Sequence, residues 1–195
     1  MRIVVIGATG TIGAAVVRLL EKRHEVVRVS RRGPVRADLE DPASIDALFE
    51  TVHDIDAVVC CAASVALTPL DSDADVIAGL RGKLFGQVHL LRRAVDHVRD
   101  GGSVTLTSGV IDRPTPGASF GALANAGLEA FVRAAADEMP RGMRVNAVGP
   151  GWVAETLEAL GRDAATGTPA ADVALAYAEA VEGDAQGRTF RPLRG

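Results

Sequence analysis

Largely apolar runs recur along the chain and predict buried β-strands. They span residues 3–6, 26–30, 57–61, 103–107 and 144–148. Short runs of this kind, rich in β-branched side chains, are typical of parallel strands that are covered on both faces. Two further segments, residues 35–39 and 188–190, predict a third strand and a short final strand.

Amphipathic patterns between these runs predict helices. Apolar residues recur at helical spacing in residues 12–23, 43–52, 82–98, 121–139 and 169–181. Asp41 followed by Pro42 is typical of a helix start, because an acidic side chain caps free N–H groups and proline suits the first helical position. Strands that alternate with helices predict an α/β fold, in which helices cover both faces of a doubly wound parallel sheet of about seven strands.

Composition narrows the classes of function. The 195 residues can bury one sizeable core, and no linker interrupts the pattern, so we expect a single domain over residues 1–195. The net charge of −4 argues against binding to nucleic acid or to a membrane surface. The sequence has no apolar run of membrane-spanning length and no leader, so we expect a cytoplasmic protein. Adjacent Cys60 and Cys61 end an apolar run, which indicates packing rather than a disulfide or a metal site.

The turn after the first strand carries the clearest chemical signal. Gly7, Gly10 and Gly13 lie between an apolar strand and an amphipathic helix, an order typical of dinucleotide-binding Rossmann folds. Gly7 permits the tight turn, Gly10 lets a pyrophosphate approach the backbone, and Gly13 lets the helix pack on the strand. Phosphates bind well at such a helix N-terminus. The other residues of the turn expected to contact the cofactor are Thr9, Thr11 and Ile12. The alternative is a purely structural strand–helix turn.

The end of the second strand favours NADP(H) over NAD(H). Ser30 occupies the position at which an NAD site usually offers Asp or Glu, and Arg31 follows it. Arg31 could pair with a 2′-phosphate, although a solvated loop charge is the alternative. Asp38, beside Leu39, could accept a hydrogen bond from an adenine amino group or could simply belong to a turn.

Together these residues resemble the short-chain dehydrogenase/reductase family, and the resemblance extends over nearly the whole chain. The matching segments are the glycine turn, Asp38-Leu39, residues 60–63, residues 105–108 and residues 145–151. The resemblance implies an oxidoreductase for a small carbonyl or alcohol substrate, built as a homodimer or homotetramer. It also implies further cofactor contacts from Cys61, Ala62, Ala63, Pro150, Gly151 and Val153.

The catalytic residues of that family are only partly matched. Its serine falls on Ser108, but its tyrosine falls on Gly121 and its lysine on Asn125. The single tyrosine, Tyr177, lies far along the chain. The family's catalytic asparagine, on the helix before the serine strand, is replaced by Lys83, one of only two lysines among 21 Lys and Arg residues.

These departures lead to a hypothesis about the site. Lys83, Ser108 and Asn125 would form a rearranged polar site beside the nicotinamide, in which Lys83 donates a proton or polarises a carbonyl and the serine is its hydrogen-bond partner. Alternatively, Lys83 is a surface residue on an interface helix. Trp152 either covers the substrate cavity or packs in the core. Three functions stay open: an NADPH-dependent reductase, a non-catalytic NADP(H)-binding sensor or partner protein, and a non-redox enzyme that reuses the cleft.

Overall fold

The computed structural model describes residues 1–62, 66–111 and 115–192 and contains one parallel sheet. Within the described residues the strand order is β3-β2-β1-β4-β5-β6-β7, and every neighbouring pair is parallel. The predicted doubly wound sheet is therefore confirmed. The strands are β1 (Arg2–Ile6), β2 (Glu25–Ser30), β3 (Val35–Arg36), β4 (Ile55–Cys60), β5 (Val98–Thr107), β6 (Arg144–Val148) and β7 (Thr189–Phe190).

Helices cover both faces of this sheet. A π-helical segment, Arg81–Gly86, joins the third helix to the fourth, and a 3₁₀ turn at Ala164–Thr166 precedes the last. The helices are α1 (Thr11–Leu20), α2 (Pro42–Thr51), α3 (Val76–Leu80), α4 (Gln87–His97), α5 (Ser119–Ala136), α6 (Ala154–Ala159) and α7 (Ala170–Glu182). None of the described helices is long and apolar enough to cross a lipid bilayer.

Two apolar layers hold the helices to the sheet. On one face, α2, α4 and α5 bury residues such as Phe49, Leu90 and Leu128 against β1, β4, β5 and β6. On the other face, α1 and α7 bury Leu20 and Tyr177 against the opposite side chains of the same sheet. Because successive strand residues point to opposite faces, strands buried on both sides need apolar residues throughout, which explains the continuous runs in the sequence.

Several element boundaries differ from the sequence-based prediction. The helices predicted at 12–23 and 121–139 span Thr11–Leu20 and Ser119–Ala136, and three larger differences follow. The third strand ends at Arg36 rather than continuing to residue 39, and β5 begins already at Val98, so it includes the glycines at 101 and 102. The helix predicted at residues 82–98 begins earlier, at Val76, and its middle turns are π-helical. The predicted start of α2 is confirmed, because the Asp41 side chain accepts a hydrogen bond from Ala43 N and Pro42 is the first helical residue.

The topology fixes where a ligand can bind. The strand order reverses direction between β1 and β4, so the connections after these two strands lead to helices on opposite faces. A crevice opens beyond the carboxyl ends of strands at such a point. The turn after β1, the end of β4 and the end of β5 meet at this edge, and the candidate site is built from them.

Candidate functional site

A cleft of about 330 Å³ lies at the carboxyl edge of the sheet, beside the glycine turn. Gly7 has a φ of +79°, and a Cβ added there would lie 2.7 Å from the main-chain nitrogen of Ala62. A Cβ added at Gly13 would lie 2.0 Å from the Gly7 carbonyl oxygen. No side chain caps the N-terminus of α1 at Gly10. The turn therefore leaves main-chain N–H groups at a helix N-terminus for an anion, as a dinucleotide pyrophosphate requires.

The fold brings most of the predicted cofactor residues together in this cleft. Those that line it are Gly7, Thr9, Gly10, Ser30, Arg31, Asp38, Leu39, Cys61 and Ala62. Thr11, Ile12 and Gly13 form the first turn of α1 and do not line the cleft. Pro150 and Val153 are buried, and Gly151 lines a neighbouring cavity. Ala63 lies outside the described residues.

The part of the cleft beside the end of β2 carries an arginine, Arg31, and an acid, Asp38, that also forms a turn. Arg31 is exposed and makes no ion pair with a described residue. Asp38 Oδ1 accepts a hydrogen bond from Glu40 N at 3.1 Å, and Asp38 N donates to Ser44 Oγ at 2.8 Å. The carboxylate of Asp38 therefore stabilises a turn and also lines the cleft, and its contact with an adenine amino group stays a prediction.

A second, smaller cavity of about 200 Å³ adjoins the cleft, and Lys83 lines both. Its described walls are mainly apolar, and its polar side chains include Lys83 and Asn125. The other lining residues described are Ala66, Leu67, Gly109, Val110, Ile111, Thr115, Ala118, Gly121, Gly151 and Trp152. Lys83 therefore lies at the boundary between the cleft and the smaller cavity.

The Lys83 ammonium group is buried and anchored to the end of β5. The residue is 7% exposed, and its Nζ donates to the carbonyl oxygens of Thr107 at 3.0 Å and Ser108 at 2.7 Å. Two of its three protons are thereby used, and one is left for a ligand. Burial lowers the pKa of Lys83 from 10.5 to about 8, while Cys60 and Glu129 act in the opposite direction. The alternative that Lys83 is a surface residue is therefore wrong.

Gln87, which the sequence analysis did not single out, holds this lysine in place. It is fully buried, and its Nε2 donates to Lys83 O at 2.7 Å and to Thr107 O at 2.9 Å. Its Oε1 accepts from Thr107 N at 2.7 Å. The π-helical segment is itself pressed against the loop after β3, because a Cβ at Gly86 would lie 2.1 Å from Leu39 O. The sequence did hold one signal for the role of Gln87, namely that it is a polar residue among the apolar positions of α4.

The structure corrects the hypothesis about the Ser108 hydroxyl. Ser108 is 2% exposed, lines neither cavity, and its Oγ donates to Glu129 Oε1 at 2.9 Å. Lys83 instead contacts the main-chain carbonyl of this residue. The hydroxyl turns towards the space left by Gly149, where an added Cβ would lie 2.7 Å from Ser108 Oγ. Gly109 is the residue of this segment that lines the smaller cavity.

Helix α5 supplies Asn125 and Gly121 to the smaller cavity. A Cβ added at Gly109 would lie 3.1 Å from Asn125 Nδ2, and Asn125 Oδ1 has no hydrogen-bond partner among the described residues. A Cβ added at Gly121 would meet only Ile111 Cδ1, at 3.8 Å. The smaller cavity therefore extends into the space that a larger side chain at position 121 would fill.

Two aromatic residues are placed differently with respect to the smaller cavity. Trp152 is 37% exposed and lines it, with the Arg162 guanidinium 5.5 Å from its ring centre, so Trp152 covers the cavity rather than packing in the core. Tyr177 is fully buried beneath the sheet, where its hydroxyl lies 2.6 Å from Thr107 Oγ1, and lines neither cavity. The single tyrosine of the chain therefore does not replace the missing one.

Comparison with known families agrees with this architecture. A family model described as enoyl-(acyl carrier protein) reductase matches residues 4–180. The chain belongs to this family of short-chain dehydrogenases/reductases, which are oxidoreductases that bind nicotinamide cofactors. The described residues contain no cluster of three or more His, Cys, Asp or Glu side chains that could hold a metal ion.

Solved structures show the same relationship. The chain is 35% identical to the protein lin1944 from Listeria innocua over 98% of both chains, with a TM-score of 0.92. It is 27% identical to a small-chain dehydrogenase in complex with NADPH, over 98% of this chain and 95% of the other, with a TM-score of 0.84. The search of curated proteins found no match.

Proposed function

We propose that the protein is an NADPH-dependent oxidoreductase that reduces a small carbonyl compound, with Lys83 in place of the usual proton donor. The observation that carries the proposal is the position of Lys83, which lines both the cofactor cleft and the smaller cavity. Its buried ammonium has one proton that no described residue accepts.

The residues of the cleft fit NADP(H). The glycine turn and the uncapped start of α1 would hold the pyrophosphate, and the exposed Arg31 would pair with the 2′-phosphate beside Ser30. The related dehydrogenase that was solved with NADPH supports this preference. When bound, the reduced nicotinamide supplies a hydride to the carbonyl carbon of the substrate.

The smaller cavity fits a compact substrate with an apolar side. Its apolar wall includes Leu67, Val110 and Ile111, while Lys83 and Asn125 provide polar groups. A carbonyl oxygen directed at Lys83 would accept its third proton, and the alcohol would be formed when hydride and proton have both been added. Because the pKa of Lys83 is about 8, the lysine is largely protonated at neutral pH and can donate.

The sensor alternative has one observation in its favour. The Ser108 hydroxyl is hydrogen-bonded to Glu129, and the chain's single tyrosine, Tyr177, lines neither cavity. No tyrosine hydroxyl therefore takes the place of the usual proton donor. A protein with this arrangement could bind NADP(H) and act as a sensor of the cofactor without catalysing a reaction.

Calorimetric titration with NADPH and with NADH tests the proposal first. We expect micromolar binding of NADPH and much weaker binding of NADH. A panel of small aldehydes and ketones then tests turnover by the loss of NADPH absorbance, with Lys83→Met as the variant and Lys22→Met as the matched control. Loss of turnover in Lys83→Met alone, with NADPH binding retained, supports the reductase. NADPH binding without any turnover favours the sensor, and absence of binding overturns both.

We also expect a homodimer or homotetramer. Phe85 on the π-helical segment is 54% exposed and Leu123 on α5 is 56% exposed, which leaves apolar side chains on the helices where the family resemblance implies an interface. Light scattering of the purified protein tests this expectation. A cytoplasmic location likewise stays a prediction.

A further inference from the structure

Glu129 is a buried carboxylate that the proposed reaction does not use. It lies on α5 and is 9% exposed. Ser108 Oγ donates to its Oε1 at 2.9 Å, and Arg191 donates to its Oε2 at 2.6 Å. Arg191 follows the last strand, so the C-terminal segment of the described chain reaches the back of the site. A carboxylate that is buried this far needs partners of this kind, since an isolated charge is costly to bury.

Ser108 joins this carboxylate to the lysine. Its carbonyl oxygen accepts a hydrogen bond from Lys83 Nζ at 2.7 Å, while its hydroxyl donates a hydrogen bond to Glu129. The end of β5 is therefore held between a cation on one side and an anion on the other. No ion pair joins Lys83 directly to a described carboxylate, so Glu129 acts on the ammonium through space and through this one residue.

Cys60 and Glu129 are the two groups that favour the charged form of Lys83, and of these Glu129 is the carboxylate. Cys60 is one of the titratable groups around the lysine. Burial raises the pKa of its thiol to about 12, so the thiol is neutral at physiological pH. Asp38 and Glu40 line the cofactor cleft from the loop after β3, but the interactions that favour the charged lysine come from Cys60 and Glu129. Glu129 is thus the anion that favours the protonated form at neutral pH.

We propose that Ser108, Glu129 and Arg191 form a positioning network that fixes Lys83 between the two cavities and controls how readily it gives up its proton. The catalytic meaning of this network rests on the proposed function, but its effect on Lys83 does not. None of the three residues lines the cofactor cleft or the smaller cavity, so each acts through the lysine.

The network predicts opposite effects for its two charged members. In Glu129→Gln the counter-charge is gone, so Lys83 should lose its proton more readily and its titration midpoint should fall by roughly 0.5–1 pH unit. In Arg191→Gln the carboxylate loses its own cationic partner and acts more strongly on the lysine, so the midpoint should rise, by less than it falls in Glu129→Gln because the Arg191 side chain is 47% exposed and its charge is screened by solvent. A residue with a merely structural role would not give changes of opposite sign.

Two lysines in the chain make the measurement direct. Protein labelled with ¹³C in the lysine ε-carbon gives one signal for Lys22 and one for Lys83, and a Lys22→Arg variant assigns them. The signals are followed as the pH is raised in the wild type, in Glu129→Gln and in Arg191→Gln. Two exposed charges serve as matched controls, Glu138→Gln just beyond α5 and Arg188→Gln at the start of the C-terminal segment.

The expected result is a downward shift in Glu129→Gln, an upward shift in Arg191→Gln and no shift in the controls. Shifts of the same sign, or midpoints equal to that of the wild type in folded variants, would overturn the proposal. If Glu129→Gln does not fold, the upward shift in Arg191→Gln still decides the question. The titration needs neither cofactor nor substrate, so the network can be confirmed in a protein that shows no reductase activity. Equally, reductase activity can be found in a protein whose titration contradicts the network.

Discussion

Replacement of Lys83 by methionine should change how the stability of the protein depends on pH. The pKa of this lysine is 10.5 when unfolded and about 8 in the folded protein, because burial disfavours the charged form. Below about pH 8 Lys83 is protonated in both the folded and the unfolded protein, so the folded protein is destabilised by the full free energy of burying the charged ammonium. Between about pH 8 and 10.5 the folded protein has released the proton while the unfolded chain still holds it, so stability rises with pH.

The size of this effect follows from the two pKa values. A fall from 10.5 to about 8 corresponds to about 3 kcal/mol at 1.36 kcal/mol for each tenfold change in proton affinity. The methionine variant lacks this dependence. It also leaves the Ser108 carbonyl without its described donor, but that loss shifts its stability by the same amount at every pH.

Urea unfolding of wild type and Lys83→Met at about pH 7 and about pH 10 measures the effect. We expect the difference in unfolding free energy between the two proteins to move by about 2.5 kcal/mol in favour of the wild type as the pH rises, because the unfolded lysine still holds most of its proton at about pH 10. All other titrating groups are shared by the two proteins and largely cancel. A difference that is the same at both pH values would refute the reasoning and would mean that Lys83 is effectively solvated.

Three further predictions concern the two cavities. Gly13→Val should destabilise the fold by roughly 1–3 kcal/mol and abolish NADPH binding, because the added Cβ would clash with Gly7 O. Thermal unfolding and calorimetry measure the two effects. Gly79→Ala is the control and should change neither, because a Cβ at Gly79 meets no atom within 4 Å. Arg31→Ala should weaken NADPH binding by roughly ten- to a hundredfold without affecting NADH, and an equal loss in Arg32→Ala would contradict a specific phosphate contact. Gly121→Leu should block the smaller cavity, so turnover should fall while calorimetry shows unchanged NADPH binding; undiminished turnover would exclude this cavity as the substrate site.

Much of the fold could be predicted because local patterns encode it. Apolar runs predicted the positions of the strands. The glycine turn predicted a nucleotide-binding site at the end of β1, where most of the expected cofactor residues do line one cavity. The Asp41-Pro42 pair likewise predicted the start of α2 correctly. These features depend on backbone conformations and spacings within a few residues, which a single sequence displays directly.

The sequence by itself determined the class of fold, the glycine turn beside which the cleft lies, and the absence of a tyrosine–lysine pair at the usual positions. Only the tertiary structure decided where Lys83, Ser108 and Asn125 lie relative to that cleft. Burial of Lys83 depends on a π-helical segment packed against a distant loop and on Gln87, and the direction of the Ser108 hydroxyl depends on the gap at Gly149 and on Glu129. Such side-chain directions arise from contacts between segments far apart in the chain, and no local pattern records them.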